Sequence, residues 1–234
     1  MAPKVFARSG AFLMAAQHDR DRVLAEAGVS RETAARLDLY VAQLRRWQSV
    51  KNLVGPATLA EVWTRHVADA LQLLALAPDA RRWLDLGSGA GIPGLILAIA
   101  GGPEISVDLV ESNARKCAFL TETARLPGAR ARVHAARIEA VIPNFRGVDV
   151  VCARALAPLE QLLDWTEPLL NSGTTGLFPK GREVEAELTR AAARWTVAYD
   201  LVPSRTESMA RIVRVNDLAP ASPRSSPRVP DPSP

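Results

Sequence analysis

The stretch that decides the fold runs from residue 83 to residue 94 and reads WLDLGSGAGIPG. Its first four residues form a short apolar strand that contains one acid, Asp85, and the glycines that follow strip a turn of side chains. A ligand can lie against the bare backbone N–H groups of such a turn before a helix begins. A second apolar run, residues 105–110, is followed by Glu111, where a carboxylate can accept hydrogen bonds from both hydroxyls of a ribose. Together the two features predict a site for a nucleoside cofactor.

Two classes of nucleoside cofactor compete for this loop. Gly89, Gly91 and Gly94 match the G-x-G-x-x-G pattern of dinucleotide-binding folds, and Glu111 follows at a suitable distance. Asp85, however, closes the strand, where its carboxylate would repel a pyrophosphate and attract an ammonium group. S-adenosylmethionine carries an ammonium, a carboxylate and a sulfonium cation but no phosphate. The loop therefore favours the methyl donor over a dinucleotide such as NAD.

Length and composition bound the protein class. The chain has 234 residues, a net charge of +4 and 48% hydrophobic residues, with no apolar run long enough for a membrane span. The two cysteines, Cys117 and Cys152, and the three histidines lack metal-ligand spacing, so we expect no metal site. The lack of a cysteine framework suits a reducing cytoplasm. The mild positive charge permits an anionic partner such as nucleic acid.

Four zones follow one another along the chain. We expect residues 1–19 to be a flexible N-terminus and residues 20–80 to be a helical cap with a helix that begins at Ser30. Residues 81–217 alternate strands and helices, which indicates a parallel sheet covered on both faces. Residues 218–234 are rich in proline and serine, which predicts a disordered tail. The expected strands are 82–86, 105–110, 130–134, 148–153, 174–178, 196–202 and 210–215, with helices at 92–100, 113–126, 157–170 and 183–194.

An ordered series of motifs extends well beyond the glycine loop. Its members are WQSVKNL (47–53), RHVAD (65–69), the loop 85–94, the segment 111–120, RIE (137–139), Arg154-Ala155 and Lys180-Gly181. Over residues 47–215 this series resembles the bacterial small-subunit ribosomal RNA guanine-N7 methyltransferases, the RsmG or GidB family, which modify guanine 527 of 16S RNA. The resemblance implies a Rossmann-like class I S-adenosylmethionine-dependent methyltransferase. Such a fold has a seven-stranded, mostly parallel sheet, an antiparallel last strand and, here, an N-terminal helical extension.

The resemblance also assigns roles to positions of this chain. Glu111 would hold the ribose, Ile138 and Glu139 would lie beside the adenine, and Arg154 would approach the cofactor from the end of the fourth strand. The expected cofactor-binding residues are Asp85, Gly87, Gly89, Ile92, Glu111, Ile138, Glu139 and Arg154.

Candidates for contact with substrate RNA are Arg65, His66 and Lys180. Arg65 and Asp69 are four residues apart on a predicted helix, so they can form an exposed ion pair beside a half-buried histidine. Alternatively, Arg65 and His66 face a cleft and contact RNA phosphate or base, and the sequence leaves both interpretations open. Lys180, just after the fifth strand, could bind a phosphate. Arg154 could position cofactor or substrate, or form a surface salt bridge.

The reaction implied by the resemblance, methylation of guanine N7, needs no acid or base from the protein. Guanine N7 has a lone pair and no proton at neutral pH, so its methylation requires no general base. Catalysis rests on holding N7 in line with the sulfonium methyl in a site shielded from water, and we assign no acid–base residue. Cys152 raises an alternative, the cysteine nucleophile of cytosine-C5 methyltransferases. It lies in an apolar strand without the Pro-Cys context of those enzymes, which favours a buried thiol.

The expected function is methyl transfer from S-adenosylmethionine to N7 of guanine 527 in 16S ribosomal RNA. Two rivals stay open: a methyltransferase that acts on another substrate, and a ribosome-assembly factor that keeps the cofactor fold as a binding module. The expected partner is 16S ribosomal RNA or the small-subunit particle. We expect a cytoplasmic monomer without membrane association.

Overall fold

The structure, a computed structural model, describes residues 5–48, 53–55, 59–126 and 128–221. Its strands are β1 Arg82–Leu86, β2 Ser106–Glu111, β3 Ala131–Ala135, β4 Val150–Ala153, β5 Thr175–Lys180, β6 Trp195–Pro203 and β7 Arg211–Pro220. They form one seven-stranded sheet in the order β3-β2-β1-β4-β5-β7-β6. The pairs among β1 to β5 are parallel, and β7 runs antiparallel to both β5 and β6. The predicted α/β fold with an antiparallel last strand is confirmed.

Helices connect and cover the strands. They are α1 Val5–Glu26, α2 Arg31–Gln48, a π-helical turn Trp63–Val67, α3 Ala68–Leu76, α4 Gly94–Ala100, α5 Ala114–Thr123, α6 Ile138–Val141, α7 Leu159–Leu170 and α8 Val184–Ala191. Ser30 caps α2 as predicted, because its Oγ accepts a hydrogen bond from the backbone N–H of Thr33 at 3.1 Å. The short α6 was not foreseen, since four residues are too few to show helical periodicity.

The sheet is buried on both faces, as the strand pattern predicts. Along β1, Trp83 packs into the core on one side and Leu84 into the core on the other, and each is at most 1% exposed. Alternate residues of a strand point to opposite faces, so two apolar layers require cover on both sides. Helices α2 and α4 contribute to the first layer, and α7 and α8 to the second.

The N-terminal helices join the first of these layers. The fully buried Tyr40 of α2 donates its hydroxyl proton to the carbonyl oxygen of Ala90 at 2.9 Å, inside the glycine-rich loop. The bidentate contact of Arg20 with Asp38, 2.7 and 2.6 Å, ties α1 to α2. The helical cap therefore braces the loop from behind.

Both ends of the chain differ from the sequence-based expectation. Helix α1 starts at Val5 and includes most of the segment expected to be flexible, in keeping with the alanine, leucine and methionine that favour helix there. Strand β7 continues to Pro220, because Leu218 pairs with Val197 and Pro220 with Trp195. The predicted disordered tail therefore does not begin at residue 218. Residues 222–234 of that tail, and 49–52 of the WQSVKNL motif, lie outside the described residues.

Within the described ranges, no helix has the length and apolar character needed to cross a membrane.

Candidate functional site

The glycine-rich loop between β1 and α4 forms the first part of the site. Gly87, Gly89 and Gly91 have φ angles of 63°, 55° and 76°, a region that residues with a Cβ seldom adopt. At Gly94, the first residue of α4, a Cβ would lie 2.5 Å from Asp85 Oδ2 and would overlap the Leu109 side chain. The lack of a side chain at Gly94 thus lets the start of α4 pack closely against β1 and β2.

Asp85 is enclosed beneath this loop. Its side chain is fully buried, and Oδ2 accepts a hydrogen bond from the backbone N–H of Gly94 at 3.1 Å. Burial raises the pKa of Asp85 to about 7, since a low-dielectric surrounding disfavours the charged form. The visible role of this carboxylate is to hold the start of α4. Its expected attraction for an ammonium group stays a prediction.

Glu111, at the end of β2, is both buried and directed at a pocket. It is 7% exposed, and its carboxylate accepts hydrogen bonds from Gly89 N at 3.0 Å and Asn113 N at 2.8 Å. Each oxygen keeps a second lone pair, so both can still accept a hydrogen bond from a ligand hydroxyl. The expected role of Glu111 in holding a ribose is compatible with this geometry.

The pocket beside Glu111 has a volume of about 320 Å³, within the small-molecule range. Four residues predicted to bind the cofactor come together in its lining: Gly87, Glu111, Ile138 and Glu139. Asp85, Gly89, Ile92 and Arg154 are not part of that lining. Gly89 acts through its N–H on Glu111, and Ile92 is packed into the core with 8% of its surface exposed.

A wall made of Ala155 and Leu156 separates this pocket from a larger one. Both residues line both pockets. Ala155 has a φ of 51°, an uncommon value for a residue with a side chain. A Cβ at Gly87 would run into the Leu156 side chain, so the loop and the wall are in close contact. The second pocket has a volume of about 550 Å³ and is lined by Arg65, Arg154 and Lys180, among others.

Arg154 is held by three groups from the π-helical turn and the start of α3. Its Nε lies 2.8 Å from Asp69 Oδ2, one terminal nitrogen donates to the Arg65 carbonyl oxygen at 2.9 Å, and the other lies 3.0 Å from His66 Nδ1. The side chain is 23% exposed. This arrangement is a multidentate cross-link rather than the surface salt bridge considered from the sequence. It fixes the residue that directly precedes the wall.

The contact with Arg154 also sets the protonation of His66. His66 Nδ1 lies 3.0 Å from the Arg154 guanidinium, which can only donate, and 3.1 Å from the Arg65 carbonyl oxygen, which can only accept; the charged contact with Arg154 favours Nδ1 as the acceptor and the proton on Nε2. Burial, helped by the positive charge of Arg154, lowers the pKa of His66 to about 4. His66 is 5% exposed and is absent from the pocket lining, so direct contact with RNA stays a prediction that this placement does not favour.

Lys180 does not present a free charge to the second pocket. Its ammonium lies 2.7 Å from Glu187 Oε2 and donates to the Ala157 carbonyl oxygen at 2.7 Å, and its side chain is only 8% exposed. The same Glu187 oxygen accepts from Leu159 N at 2.7 Å. The expectation of a phosphate-binding Lys180 therefore needs correction, because the strand end buries this side chain in an ion pair. Lys180 and Glu187 instead clamp the far end of the loop that carries the wall.

Arg65 is the better placed of the expected RNA-binding residues. Its side chain is 40% exposed at the mouth of the second pocket, and its nearest carboxylate oxygen is that of Glu207, at 3.3 Å. The sequence proposed Asp69 as its partner, but Asp69 is taken by Arg154. Exposed ion pairs are weak, so an RNA phosphate can displace Glu207 at little cost.

Three site residues were missed from the sequence. Lys116 and Arg137 line the smaller pocket, although both belong to motif segments quoted above. Leu156 has no motif, and only the three-dimensional contact with Gly87 identifies it.

Cys152 is not arranged as a nucleophile. Its thiol is fully buried and lies 3.9 Å from Asp85 Oδ1. Burial, together with the neighbouring Asp85 carboxyl, raises the pKa of the Cys152 thiol. A nucleophilic cysteine needs the thiolate form, and the buried free thiol predicted from the sequence agrees with this placement.

Comparison with solved structures supports the fold. A mutant of MtNAS in complex with S-adenosylmethionine has a TM-score of 0.51 and 16% identity, with 84% of this chain and 83% of that chain covered. TrmN from Thermus thermophilus has a TM-score of 0.50 and 22% identity, over 66% of this chain and 49% of that one. Identities this low establish a shared fold and nothing about ligands.

Sequence comparison is far more specific. The ribosomal RNA small subunit methyltransferase G of Methylobacterium radiotolerans is 77% identical over 207 residues, which cover 88% of this chain and 98% of the relative. The protein of the same name from Bradyrhizobium diazoefficiens is 54% identical over 191 residues, with 80% and 74% covered. Residues 33–212 match the sequence model of the family described as GidB, rRNA small subunit methyltransferase G. The chain therefore belongs to the GidB family of rRNA small subunit methyltransferases.

Proposed function

We propose that this protein transfers the methyl group of S-adenosylmethionine to N7 of guanine 527 in 16S ribosomal RNA. The observation that carries the proposal is the pair of pockets on either side of the Ala155–Leu156 wall. One contains an acid suited to a ribose, and the other has arginine at its mouth. The methyl donor, in the smaller pocket, and the guanine, in the larger one, would meet at the end of this wall. We place the protein in the cytoplasm.

The smaller pocket supports the choice of cofactor. Glu111 offers two carboxylate lone pairs to ribose hydroxyls, and Ile138 offers an apolar contact for the adenine ring. Glu139 and Lys116 lie at the same pocket with opposite charges, which suits a ligand that carries an ammonium and a carboxylate. S-adenosylmethionine has all four of these chemical features.

The larger pocket supports a substrate that needs no general base. Three of the acids in its lining already face cations: Asp69 lies against Arg154, Glu187 against Lys180, and Glu207 against Arg65. Guanine N7 attacks through a lone pair and releases no proton. The contribution of the protein is then to hold the base against the sulfonium methyl and exclude water, while Arg154 keeps the wall in place.

Calorimetry tests the cofactor. The protein should bind S-adenosylmethionine and not NAD, and Glu111→Ala should weaken binding about 10- to 100-fold through the loss of charge-assisted hydrogen bonds. Asp108→Asn is a matched control, because Asp108 lies on the same strand but contacts His134 instead of the pocket. Tight binding of NAD without binding of the methyl donor would refute the assignment.

Nucleoside mass spectrometry and site mapping of 16S RNA test the substrate. RNA from cells that lack the protein should have lost 7-methylguanosine at position 527, and the wild-type gene should restore it. Persistence of the modification would refute the reaction. Loss of subunit assembly without loss of the methyl group would instead favour a binding factor. The division into a cap (20–80) and a methyltransferase domain (81–217), and the monomeric state, stay part of this proposal.

A further inference from the structure

The loop between β6 and β7, residues 204–210, extends past the edge of the sheet at which both pockets open. Lys180, the last residue of β5, pairs with Arg211, the first residue of β7, so the loop before Arg211 projects beyond the carboxyl end of β5. Open α/β sheets bind their ligands outside this end of the strands. The loop residues Ser204, Thr206, Glu207 and Ala210 form part of the lining of the 550 Å³ pocket.

Two buried polar side chains of α3 fix this loop from below. Gln72 Oε1 accepts a hydrogen bond from Arg205 N at 3.0 Å, and Asp69 Oδ1 accepts one from Thr206 Oγ1 at 3.0 Å. Gln72 and Asp69 are 6% and 8% exposed, so water does not compete freely for these bonds. An anchored loop loses little conformational freedom when it binds a partner.

The outer surface of the loop combines an apolar side chain with a cation. Met209 presents an apolar side chain to solvent, with 63% of its surface exposed. Arg205 lines a neighbouring groove of about 620 Å³, and Thr206 lines both this groove and the larger pocket. Among the described residues, the Arg205 guanidinium makes no ion pair. An apolar surface for a base beside a cation for the backbone is the combination that binds single-stranded nucleic acid.

We propose that the 204–210 loop grips the RNA strand next to the guanine that enters the larger pocket. The RNA strand would run from the larger pocket across Thr206 to the neighbouring groove. On this path Met209 packs against a flanking base and Arg205 binds a backbone phosphate. Glu207, on the pocket side, lies 3.3 Å from Arg65 in an exposed pair that RNA can displace, while the buried Gln72 and Asp69 keep the loop in place. This inference rests on the proposed function and adds a substrate-binding element to it.

Binding of full-length variants to small ribosomal subunits, taken from cells that lack this protein, tests the loop. Met209→Ala should weaken binding about 3- to 10-fold without changing its salt dependence, since the lost contact is apolar. Arg205→Gln should weaken binding by a similar factor and reduce the slope of log affinity against log salt by about 0.7 to 0.9. Met14→Ala is the control, because Met14 is 75% exposed on α1, away from both pockets.

Further measurements separate the alternatives. Met209→Leu should bind like the wild type, and every loop variant should keep wild-type affinity for S-adenosylmethionine. Loop variants that bind subunits as tightly as Met14→Ala does would overturn the proposal. A loss of affinity in Arg205→Gln without a change in salt slope would also overturn it, and would indicate that the loop contacts a ribosomal protein instead of RNA. Failure of the wild-type chain to methylate the subunits would refute the proposed function itself.

Discussion

The two pockets are built in different ways although they share a wall. The smaller pocket depends on backbone: three left-handed glycines, a tightly packed helix start at Gly94, and N–H groups that orient Glu111. The larger pocket depends on ion pairs between distant parts of the chain, as when Arg154 meets Asp69 and Lys180 meets Glu187. We therefore expect ligand binding in the smaller pocket to tolerate almost no added side-chain volume. Binding in the larger pocket should instead depend on charge, pH and salt.

The largest loss of cofactor binding is expected from a substitution that adds a side chain to the glycine-rich loop of the smaller pocket. Gly94→Ala would place a Cβ 2.9 Å from Asp85 Cβ and against the Leu109 side chain. Overpacking in a close-packed site should lower the free energy of unfolding by about 1 to 3 kcal/mol and displace the loop. We expect calorimetry to detect no binding of S-adenosylmethionine.

Gly181→Ala is the matched control for stability, since a Cβ there would have no atom within 4 Å. Its thermal midpoint should stay near that of the wild type. If Gly94→Ala is equally harmless and still binds the cofactor, the loop is not fixed by packing as described.

The next effect breaks the ion-pair network of the larger pocket. Arg154→Ala leaves Asp69, which is 8% exposed, without its cation and releases the wall. Misplacement of the reacting groups by about 1 Å can lower a rate about 100-fold, and we expect a loss of methylation of that order with the far-ultraviolet circular dichroism preserved. Arg154→Lys should recover only part of the activity, because one ammonium cannot replace a planar fork that contacts three partners. Unchanged activity in Arg154→Ala would reduce the network to a structural detail.

A moderate effect is expected from pH, through His66. Its pKa in the folded protein is about 4, below the ordinary value of 6.5, so the unfolded chain binds more protons between these values. Stability from the neutral ring is therefore complete above pH 6.5 and is lost as the pH falls toward 4. At pH 5.5 the loss should be on the order of 1 kcal/mol.

The comparison that isolates this contribution is between the wild type and His66→Gln, which cannot titrate. Asp85 acts in the opposite sense, because its pKa is raised to about 7 and its stabilising protonated form is lost as the pH rises. Because the Asp85 contribution is common to both proteins, denaturant unfolding should show that the free energy of unfolding of the wild type falls relative to that of His66→Gln, by about 1 kcal/mol, between pH 7.5 and pH 5.5. Parallel pH profiles would contradict the assignment of a buried neutral ring.

The smallest effect distinguishes two cations of the larger pocket. Arg65→Gln should weaken RNA binding a few-fold and lower the salt slope by about 0.7 to 0.9, because an exposed phosphate contact is lost. Lys180→Gln should lower the thermal midpoint and leave the salt slope unchanged, since the ammonium is already paired with Glu187. The opposite result would restore Lys180 as the phosphate-binding residue.

The sequence predicts the parts of this molecule that depend on neighbours along the chain. The glycine loop, the acid at the end of β2 and the alternating strands follow from local periodicity and spacing. The sheet is seven-stranded and mostly parallel, as the family resemblance implies. Asp85 shows the limit of such reasoning. It lies on β1 as predicted, but its buried carboxylate accepts a hydrogen bond from the backbone of α4, and its role toward a ligand stays a prediction.

Long-range partners were beyond the reach of the sequence. Lys180 looked like a free cation because Glu187 becomes its neighbour only after β5 and α8 fold together. Arg65 and Asp69 looked like a helical pair, but the π-helical turn brings Asp69 to Arg154. The N-terminal helix α1 extends back to Val5, because alanine, leucine and methionine there favour helix.

Ala155 and Leu156 line both pockets, so the two sites share one wall. Any ligand that moves this wall from one side changes the shape that is offered on the other. Reciprocity then requires that whatever factor the cofactor applies to RNA affinity, RNA applies to cofactor affinity. If loss of the methyl group shifts this wall, the spent cofactor and the RNA would weaken each other's binding by the same factor.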